Sequence, residues 1–358
     1  VMHVVHSLES IPLVATVVVV GHSAAEVTAH VQHNAPDWAR IQFATQHEQN
    51  GTGDAASAGL SGLSADVSSN TSVVLVMPGD TPLLTSHTIN RLIAEHTTSQ
   101  SAATVLTAVL NDPTGYGRIV RDSNGNVVGI VEHKDASPDE LNIREINTGI
   151  YLFDFELFGP ALKGIGTNNS QAEYYLTDVV KFARADGQPV AAHLISDAAE
   201  VAGVNNPVQL AELERAHQAR QAHALMLSGV RLADPARLDV RGTLTCAQDV
   251  AIDINCVFEG EVSLGEGVRI GANCVIANAR IAAGAVIHPF THIEGGAPGS
   301  QDAVEVGPGA LVGPFARLRP GARLGEQVHI GNFVEVKNST LAKGAKANHL
   351  AYLGDAVV

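Results

Sequence analysis

The sequence predicts an α/β domain followed by a β-solenoid, and two observations carry that prediction. Up to about Asn206, β-rich apolar runs alternate with stretches of helical composition. From Val240 onward an aliphatic or similarly apolar residue recurs at every sixth position, a period that neither strand nor helix produces. A chain of 358 residues with 45% hydrophobic composition has the material for two cores.

In the first region Val14–Val20 is nearly continuous in apolar residues and stops at Gly21, the signature of a parallel strand covered on both faces. Ser72–Met77 and Ala103–Leu110 read the same way, and His22–His30 and Pro82–His96 have helical composition. A doubly wound, Rossmann-like sheet is expected, spanning residues 1–206. Asn206-Pro207 then places an N-cap before a proline at the first helical position. The Ala, Leu, Glu and Arg-rich run that follows is expected to be one connecting helix over 207–229, about 30 Å long at 1.5 Å per residue.

The third region, 230–358, holds the six-residue period: Val240, Cys246, Ile252, Phe258, Leu264, Ile270 and Ile276, then Ile281, Ile287 and Ile293, then Val306 through Val336. Gly265, Gly271, Gly307, Gly313, Gly325 and Gly331 each follow one of these residues, where a turn needing permissive dihedrals is expected. Repeats that stack one on the next account for the pattern. Gly295–Ala303 breaks the register and reads as a loop thrown out of the solenoid. Cys256 and Cys274 lie two residues before inward aliphatics and are expected to be small core residues.

Composition excludes several function classes. With 22 Lys and Arg against 37 Asp and Glu, the net charge of −15 argues against a surface built for nucleic acid or anionic lipid. Three cysteines without CxxC spacing favour a reducing cytoplasm over a disulfide framework. The longest apolar stretch, Ile11–Val20, is about half of the roughly 20 residues a membrane span requires. The first residue is Val, so the N-terminus is expected to be incomplete.

Three constellations carry chemistry. Arg319 and Lys337 are eighteen positions apart, so an eighteen-residue coil would place two cations on one face of adjacent coils, where they repel unless an anion such as phosphate lies between them. The bland reading is a solvated face with ion pairs of the Arg317–Glu335 kind. His349 is expected to point outward beside those cations, able to take a proton from an amine during acyl transfer. In the α/β region Asp80, just past an apolar strand, suits Mg²⁺ on a triphosphate or a helix N-cap. Gln46–Gly53 offers a side-chain amide and close backbone approach for a base or ribose.

The six-residue period resembles the hexapeptide repeat of left-handed parallel β-helices, a resemblance that implies both the handedness and a trimer. The segments Gln46–Gly53, Gly79–Leu83, Asp112–Arg118, Gly129–Lys134, Glu145–Gly149, Gln171–Asp178 and Gly203–Asn206 occur in order, followed by Asp234–Arg237, Gly313–Pro320, Gly331–Glu335 and His349–Asp355. Together they resemble the bacterial bifunctional N-acetylglucosamine-1-phosphate uridylyltransferase / glucosamine-1-phosphate N-acetyltransferase family, over nearly the whole chain. The resemblance implies a cytoplasmic homotrimer making UDP-N-acetylglucosamine for peptidoglycan and lipopolysaccharide from UTP, N-acetylglucosamine-1-phosphate, glucosamine-1-phosphate and acetyl-CoA.

It also implies residue roles. Gln46, Gly51 and Thr52 would contact the uracil side and Gly79 the nucleotide sugar, while Gly117, Glu132 and Asn147 would hold the N-acetylglucosamine. Asp80 and Asn205 would bind Mg²⁺, with Asn205 also contacting UDP-N-acetylglucosamine; Arg319, Lys337 and Tyr352 would bind glucosamine-1-phosphate; His349 would be the base toward acetyl-CoA. Pro78 stands where the family often has an aromatic residue. Relative to the family the chain is expected to be truncated at both ends. No Gly-rich, cationic turn follows its first strand, its first lysine is Lys134, and its last coil stops at Val358. The first domain is therefore expected to have two unpaired sheet edges and low uridylyl transfer. Two alternatives compete: a nucleotidyltransferase for another hexose-1-phosphate, and a non-catalytic trimeric scaffold.

Overall fold

The computed structural model describes residues 1–63, 67, 72–297, 300 and 302–358. The chain divides into two compact units, Val1–Leu213 and Glu214–Val358.

The first unit is an α/β layer structure. After α1 (Met2–His6), strand β1 (Thr16–Val20) leads to α2 (Ala24–Asn34), β2 (Ile41–Thr45) and α3 (Thr52–Ser61). Then come β3 (Val73–Val76), α4 (Ser86–Ser99), β4 (Ala103–Val109), β5 (Arg118–Arg121) and β6 (Val127–Val131). The short α5 (Pro138–Leu141), β7 (Glu145–Asp154), α6 (Phe155–Gly164), α7 (Asp178–Ala185) and β8 (Val190–Leu194) complete it.

The strands do not form one doubly wound sheet. β1 and β2 pair in parallel as a two-stranded ribbon, and the other six form a mixed sheet in which β7 runs antiparallel to β3, β4 and β5. β7 is ten residues long, and its C-terminal half pairs with β3 on one side and β4 on the other. Among the described residues β1 pairs only with β2 and β3 only with β7, so each has one free ladder edge. The expectation that Val14–Val20 is covered on both faces is corrected accordingly, because within β1 only Val20 is buried.

The two apolar clusters of this unit lie on the mixed sheet. One gathers Val105, Ile119, Phe153, Phe158 and Val180; the other gathers Leu84, Leu92, Leu106, Ile146 and Ile150. Each such side chain contributes roughly 1.5–3 kcal/mol on burial, which makes the strand ends a rigid platform for the loops. The helix expected from Pro82 starts four residues later, with the Thr85 hydroxyl accepting from the Thr88 N–H at 3.2 Å. Asp80 is therefore not its N-cap.

The last helix, α8 (Pro207–Leu227), begins as its sequence requires: the Gln209 N–H donates to Asn206 Oδ1 at 3.0 Å. Gly229 turns the chain out with φ +100°. Gln218 is buried and uses its side-chain amide as a strand would, donating to Val240 O and accepting from Val240 N, both at 2.8 Å.

The second unit stacks short parallel strands in two long sheets, each strand pairing with its equivalent one coil on. Leu238 stacks on Cys256, Ile252 on Ile270, Leu318 on Val336 and Val336 on Leu353. The inward residues, from Val240 to Leu341, make a continuous core that includes Cys256 and Cys274. Burial pushes those two thiols up to about 11 and about 12. Left-handed residues recur at the corners: Asn255, Asn273, Phe290, Phe315, Phe333 and Leu350 occupy one column, with the three phenylalanine rings stacked at 5.0 and 5.4 Å.

The glycines that follow the inward aliphatics have a different purpose from the one expected. Of the six, only Gly313 has a positive φ. At the others a Cβ would strike the adjacent coil: 2.6 Å from Ala283 N at Gly265, 2.7 Å from Pro289 at Gly271, 2.5 Å from Gly325 at Gly307, 2.9 Å from Leu341 O at Gly325, and onto the Asn348 carbonyl at Gly331. Close approach of stacked backbones demands these glycines. The interrupting loop leaves between His292–Glu294 and Val304–Val306, which stack on the same strand, Val275–Ile281. Its neck is closed by Gly296 N–H donating to Asp302 O at 2.9 Å; positions 298, 299 and 301 of the expected loop lie outside the described residues.

Candidate functional sites in the two units

In the first unit the expected residues gather in three clusters. At the start of α3, Gly51 has φ +107°, and a Cβ there would lie 2.6 Å from Tyr174 O. The segment is laced to residues 174–176 by three bonds: Tyr174 N–H to Asn50 O and Gly53 N–H to Tyr174 O, both 2.7 Å, and Leu176 N–H to Thr52 Oγ1, 3.0 Å. Gln46 is held by its amide, which donates to Asp54 Oδ2 at 2.8 Å and Gly51 O at 3.1 Å. Its carbonyl oxygen stays free to accept, and the lacing presents backbone groups at Gly51 and Thr52 at a fixed position.

The second cluster forms where β3 ends. Pro78, Asp80, Thr81, Thr114–Tyr116, Thr148, Gly203, Asn205 and Gln209 line a cavity of about 290 Å³. Gly79 and Asp80 are exposed at its rim. The Asp80 carbonyl accepts from Val204 N–H at 3.1 Å, and the Asn205 N–H donates to Gln209 Oε1 at 2.8 Å. A Cβ on Gly203 would lie 3.0 Å from Asp80 Oδ2 and 3.8 Å from Asn205 Nδ2, so the carboxylate and the amide flank one glycine across 125 residues of chain. Pro78 packs toward Gly149, whose Cβ would meet it at 3.1 Å.

The third cluster joins the start of β5, the end of β6 and the interior of β7. A Cβ on Gly117 would lie 3.3 Å from Glu132 Oε2 and 3.4 Å from Asn147 Cβ, and Asn147 N–H donates to Gly117 O at 2.9 Å. Burial raises the Glu132 carboxyl above the ordinary carboxylate range, opposed by the Thr177 hydroxyl, which donates to Glu132 Oε1 at 3.3 Å. Thr148 and Tyr116, chain neighbours of Asn147 and Gly117, line the Asp80 cavity, so the second and third clusters share a wall.

Sequence reasoning missed Asp54, Thr177 and Arg118. Thr177 and Arg118 lay inside the quoted motifs without a role; Asp54, eight residues past Gln46, gave no signal of its own. Arg118 is 1% exposed, with its guanidinium on the Tyr116 carbonyl and on His133 Nδ1 at 3.3 Å. Arg118 thereby braces the segment that carries Gly117.

In the second unit the register places Arg317, Glu335 and Tyr352 in one outward column. Arg319, Lys337 and Gly354 form the neighbouring column, separated from the first by the inward Leu318, Val336 and Leu353. The two cations are thus on adjacent coils, as their spacing requires. Arg319 is not unpaired, however: Glu335 Oε1 lies 2.9 Å from its guanidinium and Glu335 Oε2 lies 4.0 Å from that of Arg317. The anion beside Arg319 is a carboxylate of the protein itself. Lys337 has no ion-pair partner among the described residues. His349 is exposed, stacks on Asn332, and is separated from the exposed Tyr352 by the left-handed corner at Leu350.

A nucleotidyltransferase-like α/β unit joined by a helix to a parallel β-solenoid defines the class. The nucleotidyl transferase family model matches residues 2–201. The chain is 60% identical over 359 aligned residues to the bifunctional protein GlmU of Albidiferax ferrireducens, covering 99% of this chain and 75% of that protein. It is 57% identical to the GlmU of Polaromonas sp. and 52% identical to that of Burkholderia thailandensis, again over 99% of the chain and about three quarters of each relative. Among solved structures, a putative glucose-1-phosphate thymidylyltransferase from Bacillus anthracis is similar at 18% identity and a TM-score of 0.44, covering 59% of this chain and 79% of that one. The chain belongs to the GlmU family of bifunctional proteins.

Proposed function

We propose that the chain carries two reactions of UDP-N-acetylglucosamine synthesis on separate surfaces, uridylyl transfer on residues 1–206 and acetyl transfer on residues 230–358, with 207–229 as connector. The observation that carries the first half is the gathering of Gly117, just before β5, Glu132, just after β6, and Asn147, within β7, beside the cavity flanked by Asp80 and Asn205. Family membership supports both halves.

In the first reaction a phosphate oxygen of N-acetylglucosamine-1-phosphate attacks the α-phosphorus of UTP in line. The bond to the β-phosphate breaks and pyrophosphate leaves. Gly117 lets the sugar approach the strand, while Glu132 and Asn147 receive its hydroxyl and amide groups. Gly79 faces the nucleotide sugar, and Gln46, Gly51 and Thr52 hold the base. Positioning supplies most of the rate, because reactants fixed in line avoid the entropy of encounter. Asp80 and Asn205 fit Mg²⁺: both offer hard oxygens, and the open rim leaves room for waters and phosphate. When bound, the ion would neutralise charge on the phosphates.

In the second reaction the amine of glucosamine-1-phosphate attacks the thioester carbonyl of acetyl-CoA and CoA leaves as the thiol. Lys337 and Arg319 hold the sugar phosphate, with Glu335 orienting Arg319, and Tyr352 closes the subsite. His349 takes the amine proton; its ring is exposed and so accessible to the amine. A left-handed solenoid and a homotrimer complete the reading, supported by the six-residue period and the family. No helix among the described residues is long and apolar enough to cross a membrane, and the three cysteines are free. A cytoplasmic setting for water-soluble substrates rests on family membership.

Calorimetric titration of UDP-N-acetylglucosamine with and without Mg²⁺ tests the first half. The expected result is Mg²⁺-strengthened binding that Asp80→Asn reduces to the metal-free level. Mg²⁺ dependence unchanged in Asp80→Asn would remove Asp80 from the metal site.

A further inference from the structure

Gly354 has no backbone reason to be glycine. It lies in the strand Tyr352–Gly354 and is not among the residues with positive φ. Its neighbours explain it instead. A Cβ at this position would lie 2.6 Å from Tyr352 Cζ and 2.7 Å from Tyr352 Cε1, with the phenolic oxygen nearer still. Residues two apart on a strand face the same way, so the Tyr352 ring lies along its own strand, over the place where a side chain of residue 354 would stand. The register puts Gly354 directly against Lys337, which in turn follows Arg319 one coil back.

We propose that Gly354 is a positioning residue for the glucosamine-1-phosphate subsite: its missing side chain lets the Tyr352 ring fold over Gly354, beside Lys337 in the Arg319–Lys337 column. The proposal rests on the reading of that column as a phosphate subsite. Without the vacancy the phenol would take another rotamer, because an alanine methyl would occupy the place of its ring. The clash of an alanine methyl here is with the far end of a flexible, exposed side chain. At Gly331, by contrast, the methyl would meet the backbone of the next coil. Gly354→Ala therefore changes where Tyr352 sits and leaves the coil intact, which sets a ligand effect apart from a folding effect.

The test is a double-mutant cycle on glucosamine-1-phosphate binding, read by calorimetry with Gly354→Ala, Tyr352→Ala and the double variant, each checked by circular dichroism. Loss of one hydrogen bond to a charged group predicts binding about tenfold weaker in each single variant. The double variant is expected to bind no more weakly than Tyr352→Ala alone, since both changes remove the same ring from the same place. Wild-type affinity in Gly354→Ala, or two losses that multiply in the double variant, overturns the proposal. A second readout needs no ligand and no variant: nuclear Overhauser contacts between the Tyr352 ring and the Gly354 Hα protons in the unmodified chain. Their presence supports the ring placement and their absence overturns it. Failure of the unmodified chain to bind glucosamine-1-phosphate with those contacts present would refute the phosphate subsite and leave the ring placement standing.

Discussion

Replacing Gly117 by alanine separates binding from folding in the first unit. Gly117 is not in the left-handed region, so the backbone accepts alanine without strain. The added methyl would lie 3.3 Å from Glu132 Oε2, 3.3 Å from Ile130 Cγ2 and 3.4 Å from Asn147 Cβ, so its neighbours must yield by a few tenths of an ångström. Ile130 is buried at 1% exposure and cannot retreat, so the Glu132 carboxylate must leave the position from which it is proposed to hold the sugar. Overpacking of this kind costs about 1–3 kcal/mol. Charged to the bound state, that is a loss of roughly 5- to 150-fold in affinity, at 1.4 kcal/mol per factor of ten. The assay is calorimetry with UDP-N-acetylglucosamine beside urea denaturation of the same protein. Weaker binding with an unfolding midpoint near wild type is expected. Unchanged affinity would refute the placement of the sugar against Gly117 and Glu132.

Two further outcomes follow from buried charge and close approach. Because burial raises Glu132 in the folded state, the native protein binds more protons than the unfolded chain between the ordinary and the raised value. Stability should therefore fall as pH rises through that window, and Glu132→Gln should flatten the fall while weakening sugar binding; an unaltered pH profile of unfolding in Glu132→Gln would contradict it. In the solenoid, Gly331→Ala forces a methyl onto the Asn348 carbonyl, whereas Gly267→Ala strains a φ of +67° with open space around the methyl. The second costs roughly 1–2 kcal/mol. The first should cost more in denaturant titration, and a smaller loss would refute the close-approach account of these glycines.

Much of the fold is legible because burial imposes periods. The six-residue repeat marks one inward series, Val240 to Val336, whose aliphatics stand out, whereas most of the second buried series two residues earlier, Val262, Ala279, Ala310 and Val334 among it, passed unread because small residues carry little hydropathic contrast. The cap at Asn206 and the helix it starts follow from local hydrogen bonding. What stayed hidden depends on partners distant in sequence. Nothing local in Val14–Val20 says that among the described residues it pairs with one strand only, or that β7 is long enough to serve β3 and β4 together. The glycines after the aliphatics carry no mark distinguishing a turn requirement from a contact with the next coil. In the sites, motif residues from separate segments did converge, but their supports did not announce themselves. Asp54 holding Gln46, Thr177 holding Glu132 and Glu335 holding Arg319 appear only once the strands are stacked.

The central claim, that one chain carries acetyl transfer on a surface independent of uridylyl transfer, is tested most directly at His349. Acetylation of glucosamine-1-phosphate by acetyl-CoA would be followed for the 358-residue chain and for His349→Ala, with UDP-N-acetylglucosamine binding measured on both. The account predicts an acetylation rate lower by about 10²- to 10⁴-fold in the variant, the usual contribution of a general base, with nucleotide-sugar binding unchanged. Equal acetylation rates, or loss of both properties together, would contradict it.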